Sequence, residues 1–141
     1  LDSLCAIKVR EGKNGDSLTQ GQAIIAPGNY HMKLRRNGSM YYIETSQEER
    51  VHHQRPAADV LFESAARFAG LNAVGVIMTG MGADGARGLL KMKESGAKTI
   101  AQDEESCVVF GMPKEAIKLG AVDKTVTLQK IPETIFSFIN N

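Results

Sequence analysis

The sequence predicts an α/β protein, with a mainly parallel sheet flanked by helices and an antiparallel hairpin at one edge. Three observations carry that expectation. Residues 74–78 form a continuous apolar run, the mark of a strand covered on both faces. Helical faces lie on either side of it: Val60, Leu61, Ser64, Ala65 and Phe68 share one before, and Ala86, Leu89, Leu90 and Met92 follow at helical spacing after. The order helix, strand, helix, strand, helix is the βαβ rhythm of a three-layer, Rossmann-like arrangement.

The elements follow in order. Cys5, Ile7 and Val9 alternate with Ala6, Lys8 and Arg10, the period of a half-buried strand. Lys13-Asn14-Gly15-Asp16 is a turn signal, and residues 22–26 form a short strand that stops at Pro27-Gly28-Asn29. Residues 31–35 and 40–44 flank Asn37-Gly38, a cue for a type I′ hairpin turn, which needs positive φ at both central positions. The polar stretch 45–55 reads as a loop. Pro56 opens a helix that Gly70 stops, and Gly96 ends the helix after the apolar strand. A short strand is expected over 98–101. Met112-Pro113 begins a helix closed by Gly120, and Ile131, Ile135, Phe138 and Ile139 stripe a C-terminal helix.

A chain of 141 residues fits one domain with a core of its own. Lysine and arginine total 17 against 16 acids, a net charge of +1, which gives no electrostatic case for nucleic acid or anionic membrane. No apolar run approaches a membrane span and no signal-peptide pattern is present, so a cytoplasmic location is expected. Cys5 and Cys107 lack metal or redox spacing and are expected to be reduced thiols. Leu1 in place of methionine suggests a piece of a longer chain.

The chemistry concentrates in Thr79-Gly80-Met81-Gly82-Ala83-Asp84-Gly85, a glycine-rich turn from strand to helix. Three readings of it stand open. Gly80, Gly82 and Gly85 fit G-x-G-x-x-G, with Asp103 spaced to hold a ribose, so the turn suits a dinucleotide module; Asp84, however, would set a negative charge beside the pyrophosphate. Alternatively, Asp84 orients a catalytic histidine while an amide near Met81 stabilises an oxyanion. That reading lacks a G-x-S-x-G elbow. His31, His52 and His53 read as solvated surface residues, and Ser106-Cys107 is a nucleophile candidate that leads into apolar Val108-Val109-Phe110. In the third reading the turn is only structural, with Asp84 acting as a helix cap.

A resemblance bears on the choice. Residues 76–86 (Val-Ile-Met-Thr-Gly-Met-Gly-Ala-Asp-Gly-Ala) and 101–113 (Ala-Gln-Asp-Glu-Glu-Ser-Cys-Val-Val-Phe-Gly-Met-Pro) closely resemble the bacterial chemotaxis receptor methylesterases. Ile24-Ile25-Ala26-Pro27-Gly28 and residues 55–62, from Arg55 to Phe62, are similar to two further signatures of that family. The resemblance implies hydrolysis of glutamate methyl esters on chemoreceptors, with release of methanol, and glutamine deamidation in many members. It implies no cofactor and no metal. It makes Asp84 the catalytic acid and the Met81 backbone N–H an oxyanion donor. The family's nucleophilic serine, in a G-x-S-T-G-G turn, and its histidine would precede Leu1, as would the receiver domain through which a histidine kinase acts. Residues 1–141 are therefore expected to be an incomplete catalytic domain.

Overall fold

A computed structural model describes residues 2–140. Its centre is a three-stranded parallel sheet of β5 (Val74–Ile77), β6 (Lys98–Gln102) and β7 (Lys124–Val126), with β6 in the middle. The middle strand is buried from Thr99 to Gln102, as a strand covered on both faces must be. Its polar residues are satisfied internally. Thr99 donates from Oγ1 to the Ala121 carbonyl at 2.6 Å, and Gln102 Oε1 accepts the Thr79 N–H at 2.8 Å. Gln102 Nε2 donates to the Ser106 carbonyl at 2.7 Å, so one buried amide joins the exits of two strands.

The helices are α1 (Ala58–Phe68), α2 (Ala86–Glu94), α3 (Met112–Lys118) and α4 (Ile131–Ile139). Helices α1 and α2 pack on each other, and Leu89 and Met92 of α2 join Ile77 and Ala101 in the core. Helix α1 ends two residues before Gly70, and α3 carries Pro113 in its first turn, where the missing N–H costs nothing. β7 was not expected from the sequence. It is three residues long and mostly exposed, too short to show alternation.

Before α1 come β1 (Lys8–Glu11), β2 (Gln22–Ile25), β3 (His31–Asn37) and β4 (Met40–Ser46). β1 and β2 pair in parallel; β3 and β4 form the expected hairpin as a separate two-stranded sheet laid on α1. The Leu34 N–H donates to Ser64 Oγ of α1 at 2.7 Å, which anchors the hairpin. Its turn differs from the expected type. Asn37 pairs with Met40, so Gly38 and Ser39 are the loop residues, and only Gly38 has positive φ, at 63°. Positive φ at the first loop position alone is the type II′ pattern, which also matches the twist of the strands.

Asp16 braces the turn after β1. The Arg10 guanidinium and the Lys13 N–H both bond its carboxylate, which holds its pKa below the ordinary aspartate range. A folded pKa below the unfolded one contributes stability that is present above about pH 4 and lost as pH falls through the folded value. Asp16→Asn should therefore flatten the acid side of the stability profile, measured as the urea midpoint between neutral and acid pH. An unchanged slope would show that the contact adds nothing.

Candidate active site

The turn that leaves β5 is laced to the segment that leads into α3. Gly80 N–H donates to the Val109 carbonyl at 3.1 Å, and the Gly80 carbonyl accepts Gly111 and Met112 N–H at 3.1 and 2.8 Å. Thr79 Oγ1 donates to the Val109 carbonyl and accepts the Val109 N–H. The two backbones approach so closely that a Cβ on Gly111 would lie 2.6 Å from the Gly80 oxygen, whereas one on Gly80 would meet the Met112 side chain at Sδ. Close backbone packing thus explains Gly111. Met81 is exposed at the crest of the turn, and among the described residues its N–H has no acceptor. Met78 and Val108 are exposed beside it.

Asp84 is buried, with 3% of its surface exposed. It does not cap its own helix. Its Oδ2 accepts the Ala58 N–H at 2.7 Å and its Oδ1 the Asp59 N–H at 2.9 Å, so it caps α1 from across the fold. These are two of the donors that the first turn of a helix leaves unpaired, and they favour a negative charge. The arrangement is a fixed, solvent-shielded carboxylate at the carboxyl end of a parallel strand, where α/β folds place their ligands.

Of the three histidines, one differs from expectation. His31 is buried at 1% exposure rather than solvated. Its Nδ1 accepts the Ala57 N–H at 3.3 Å, so its proton lies on Nε2, which donates to the Glu49 carbonyl at 2.8 Å. It binds the polar loop to the start of α1, a role invisible in an isolated histidine at a strand end. His31→Phe should strip partners from two backbone groups and cost about 2–4 kcal/mol, read by urea denaturation. A cost near zero would show that the loop closes without it. His52 is exposed, as expected, and its Nε2 sits 2.7 Å from Asp59 Oδ2 and 4.0 Å from Asp84 Oδ1. His53 is exposed, as expected.

The other candidates resolve as structure. Ser106 Oγ donates to Asp103 Oδ1 at 2.6 Å and accepts the Leu128 N–H at 3.0 Å. Burial pushes the Cys107 thiol pKa up, the wrong direction for a nucleophile at neutral pH. Cys5 and Cys107 are both free thiols.

Asp103 also accepts the Ser106 N–H at 3.0 Å, so it turns inward and does not wait for a ribose. The Gly88 N–H of α2, which a pyrophosphate would use, is already bonded to Asp59 Oδ1 at 2.7 Å. The dinucleotide alternative on Gly80, Gly82 and Gly85 therefore loses its physical basis. His52, Asp59 and Asp84 bring three metal-type ligand atoms within 4.8 Å. Every carboxylate oxygen of the group already has an N–H partner, however, so the cluster is built as a hydrogen-bonded unit. A separate cavity of about 470 Å³ lies between β3 and α1, lined in part by Lys33, Arg35, Glu63 and Arg67. Its lysines are paired, Lys33 with Glu48 and Lys91 with Glu63.

Comparison with known proteins decides the family. The family model described as CheB methylesterase matches residues 1–135. The chain belongs to the CheB methylesterase family. Relatives of this family that it resembles include a protein-glutamate methylesterase/protein-glutamine glutaminase 2 of Syntrophus aciditrophicus, 61% identical over 139 residues, covering 99% of this chain and 40% of the relative. Another is a protein-glutamate methylesterase/protein-glutamine glutaminase 3 of Rhodopseudomonas palustris, 63% identical over 135 residues, covering 96% and 37%. The chain thus spans about 40% of the length of these curated CheB relatives. Its fold is that of the Thermotoga maritima CheB methylesterase catalytic domain. That structure matches with a TM-score of 0.93 at 36% identity, covering 96% of this chain and 72% of that one. No helix among the described residues is long and apolar enough to cross a membrane.

Proposed function

We propose that this chain is the C-terminal portion of a methylesterase domain that hydrolyses glutamate methyl esters on chemoreceptors. The observation that carries this reading is Asp84: a buried carboxylate clamped by the Ala58 and Asp59 amides, in a turn whose Met81 N–H is unspent. A serine and a histidine from sequence preceding Leu1 complete the set. The serine attacks the ester carbonyl as the histidine takes its proton. Asp84 holds the ring's other N–H and stabilises the imidazolium, and the Met81 N–H faces the oxyanion. The histidine then returns its proton to the leaving methoxide, methanol departs, and water releases the glutamate carboxylate from the acyl-serine. With a glutamine the leaving group is ammonia, so the same residues serve deamidation.

The partners of this reading are the methylated cytoplasmic segments of chemoreceptors. A receiver domain on the same protein would be phosphorylated by a histidine kinase, and the enzyme would work in the cytoplasm. The names of the curated relatives, methylesterase and glutaminase, support both activities. The test is methanol release from a methylated receptor fragment by the complete enzyme, with NAD added in a parallel melting experiment. Release of methanol and no NAD-dependent rise in melting temperature are expected. A saturable NAD shift without methanol release would overturn the assignment.

A further inference from the structure

The clamp on Asp84 runs in both directions. Asp84 precedes α2 and caps α1; Asp59 lies in the first turn of α1 and caps α2 through the Gly88 N–H. Neither helix has a side-chain cap from its own N-cap residue, Ala57 or Gly85. Each therefore depends on the other's aspartate for donors that its first turn leaves free. The helices meet backbone-close at this point: a Cβ on Gly88 would lie 2.6 Å from Phe62 Cβ and 3.2 Å from Asp59 Cα. Asp59 is itself buried at 4% exposure, and its second oxygen is taken by His52 Nε2 at 2.7 Å. His52 and His53 both hold positive φ, 52° and 62°, which non-glycine residues seldom adopt. The loop takes up these angles while it sets an imidazole on Asp59.

We propose that Asp59 is a positioning residue for Asp84, held in its turn by His52. This rests on the proposed function. His52 fixes one oxygen of Asp59 and Gly88 the other. The fixed side chain sets the first turn of α1 against α2, and that turn presents the Ala58 and Asp59 amides that orient both oxygens of Asp84. Asp59 touches no reacting atom. It acts by denying the Asp84 carboxylate the small rotations that would misalign its bond to the catalytic histidine, since displacements of about 1 Å cost catalysis heavily.

Asp59→Asn in the complete enzyme tests this. The amide keeps an oxygen for Gly88 but sets its NH2 against the His52 donor. The turnover number should fall about tenfold or more while KM for the methylated receptor stays within about twofold. His52→Leu should fall in the same way, whereas His52→Gln, which still carries a donor for Asp59, should retain most activity. The deciding readout is the cycle with Asp84→Asn: in that background neither Asp59→Asn nor His52→Leu should lower turnover further. Equal losses in both backgrounds, or unchanged turnover in both single variants, would overturn the proposal. If Asp59→Asn fails to fold, the His52→Leu and His52→Gln pair runs the same cycle. Full activity of Asp84→Asn alone would instead overturn the proposed function, so the two failures are distinguishable.

Discussion

Asp84→Asn in the complete enzyme should lower turnover by about 10³–10⁴-fold, because an amide cannot hold the histidine in the tautomer that accepts the serine proton. The same change should destabilise the fold. Asp84 gives an oxygen to each of two helix N–H groups, and asparagine has a single acceptor oxygen. One amide would face an NH2 group, at a cost of about 1–3 kcal/mol. Both effects must appear for the account to hold, and turnover should be compared well below the variant's melting temperature. A large loss of stability with near-normal methanol release would make Asp84 a helix cap and nothing more.

Gly111→Ala should have the second largest effect. The added methyl would lie 2.6 Å from the Gly80 carbonyl oxygen, 3.1 Å from the Gly82 nitrogen and 3.2 Å from Met81 Cα. All three are backbone atoms of the turn, so no side chain can swing away to make room. The turn must move, and the Met81 N–H moves with it. Loss of one aligned oxyanion donor costs about 10²–10³ in turnover, and overpacking adds about 1–3 kcal/mol of destabilisation. Steady-state kinetics with a small methyl ester would isolate the oxyanion site from receptor docking. A variant with normal turnover on that ester would show that the Met81 amide takes no part.

Periodicity and turn chemistry made most of the fold legible in the sequence. The apolar stripes of α1 and α2, the run of β5 and the glycine and proline stops lie within one element each, where a local pattern reports local structure. What could not be read depends on partners about 25–30 residues apart. Asp84 reaches Ala58 and Asp59, Asp59 reaches Gly88, and Gly80 meets Gly111, and no local spacing signals any of these. His31 was expected in solvent because a lone histidine among polar residues carries no sign of burial, yet it joins two backbone segments. The fingerprint spacing of Gly80, Gly82 and Gly85 pointed to phosphate chemistry because glycine spacing does not distinguish a cradle for a ligand from a turn packed against its own chain. Asp84 stands out in the sequence through its glycine-rich turn, but its capping of α1 and its proximity to His52 emerge only in three dimensions.

The central claim is that Asp84 accepts a hydrogen bond from a histidine supplied by the preceding sequence. The measurement that addresses it most directly is nitrogen-edited NMR of the histidine ring N–H protons in the complete enzyme. Short bonds to a buried carboxylate move such protons far downfield and slow their exchange. A ring N–H resonance is expected that persists in His52→Leu, where the bond to Asp59 is gone, and disappears in Asp84→Asn. If the only downfield ring proton is lost with His52 and none responds to Asp84, no histidine is bonded to Asp84 and the triad assignment is contradicted.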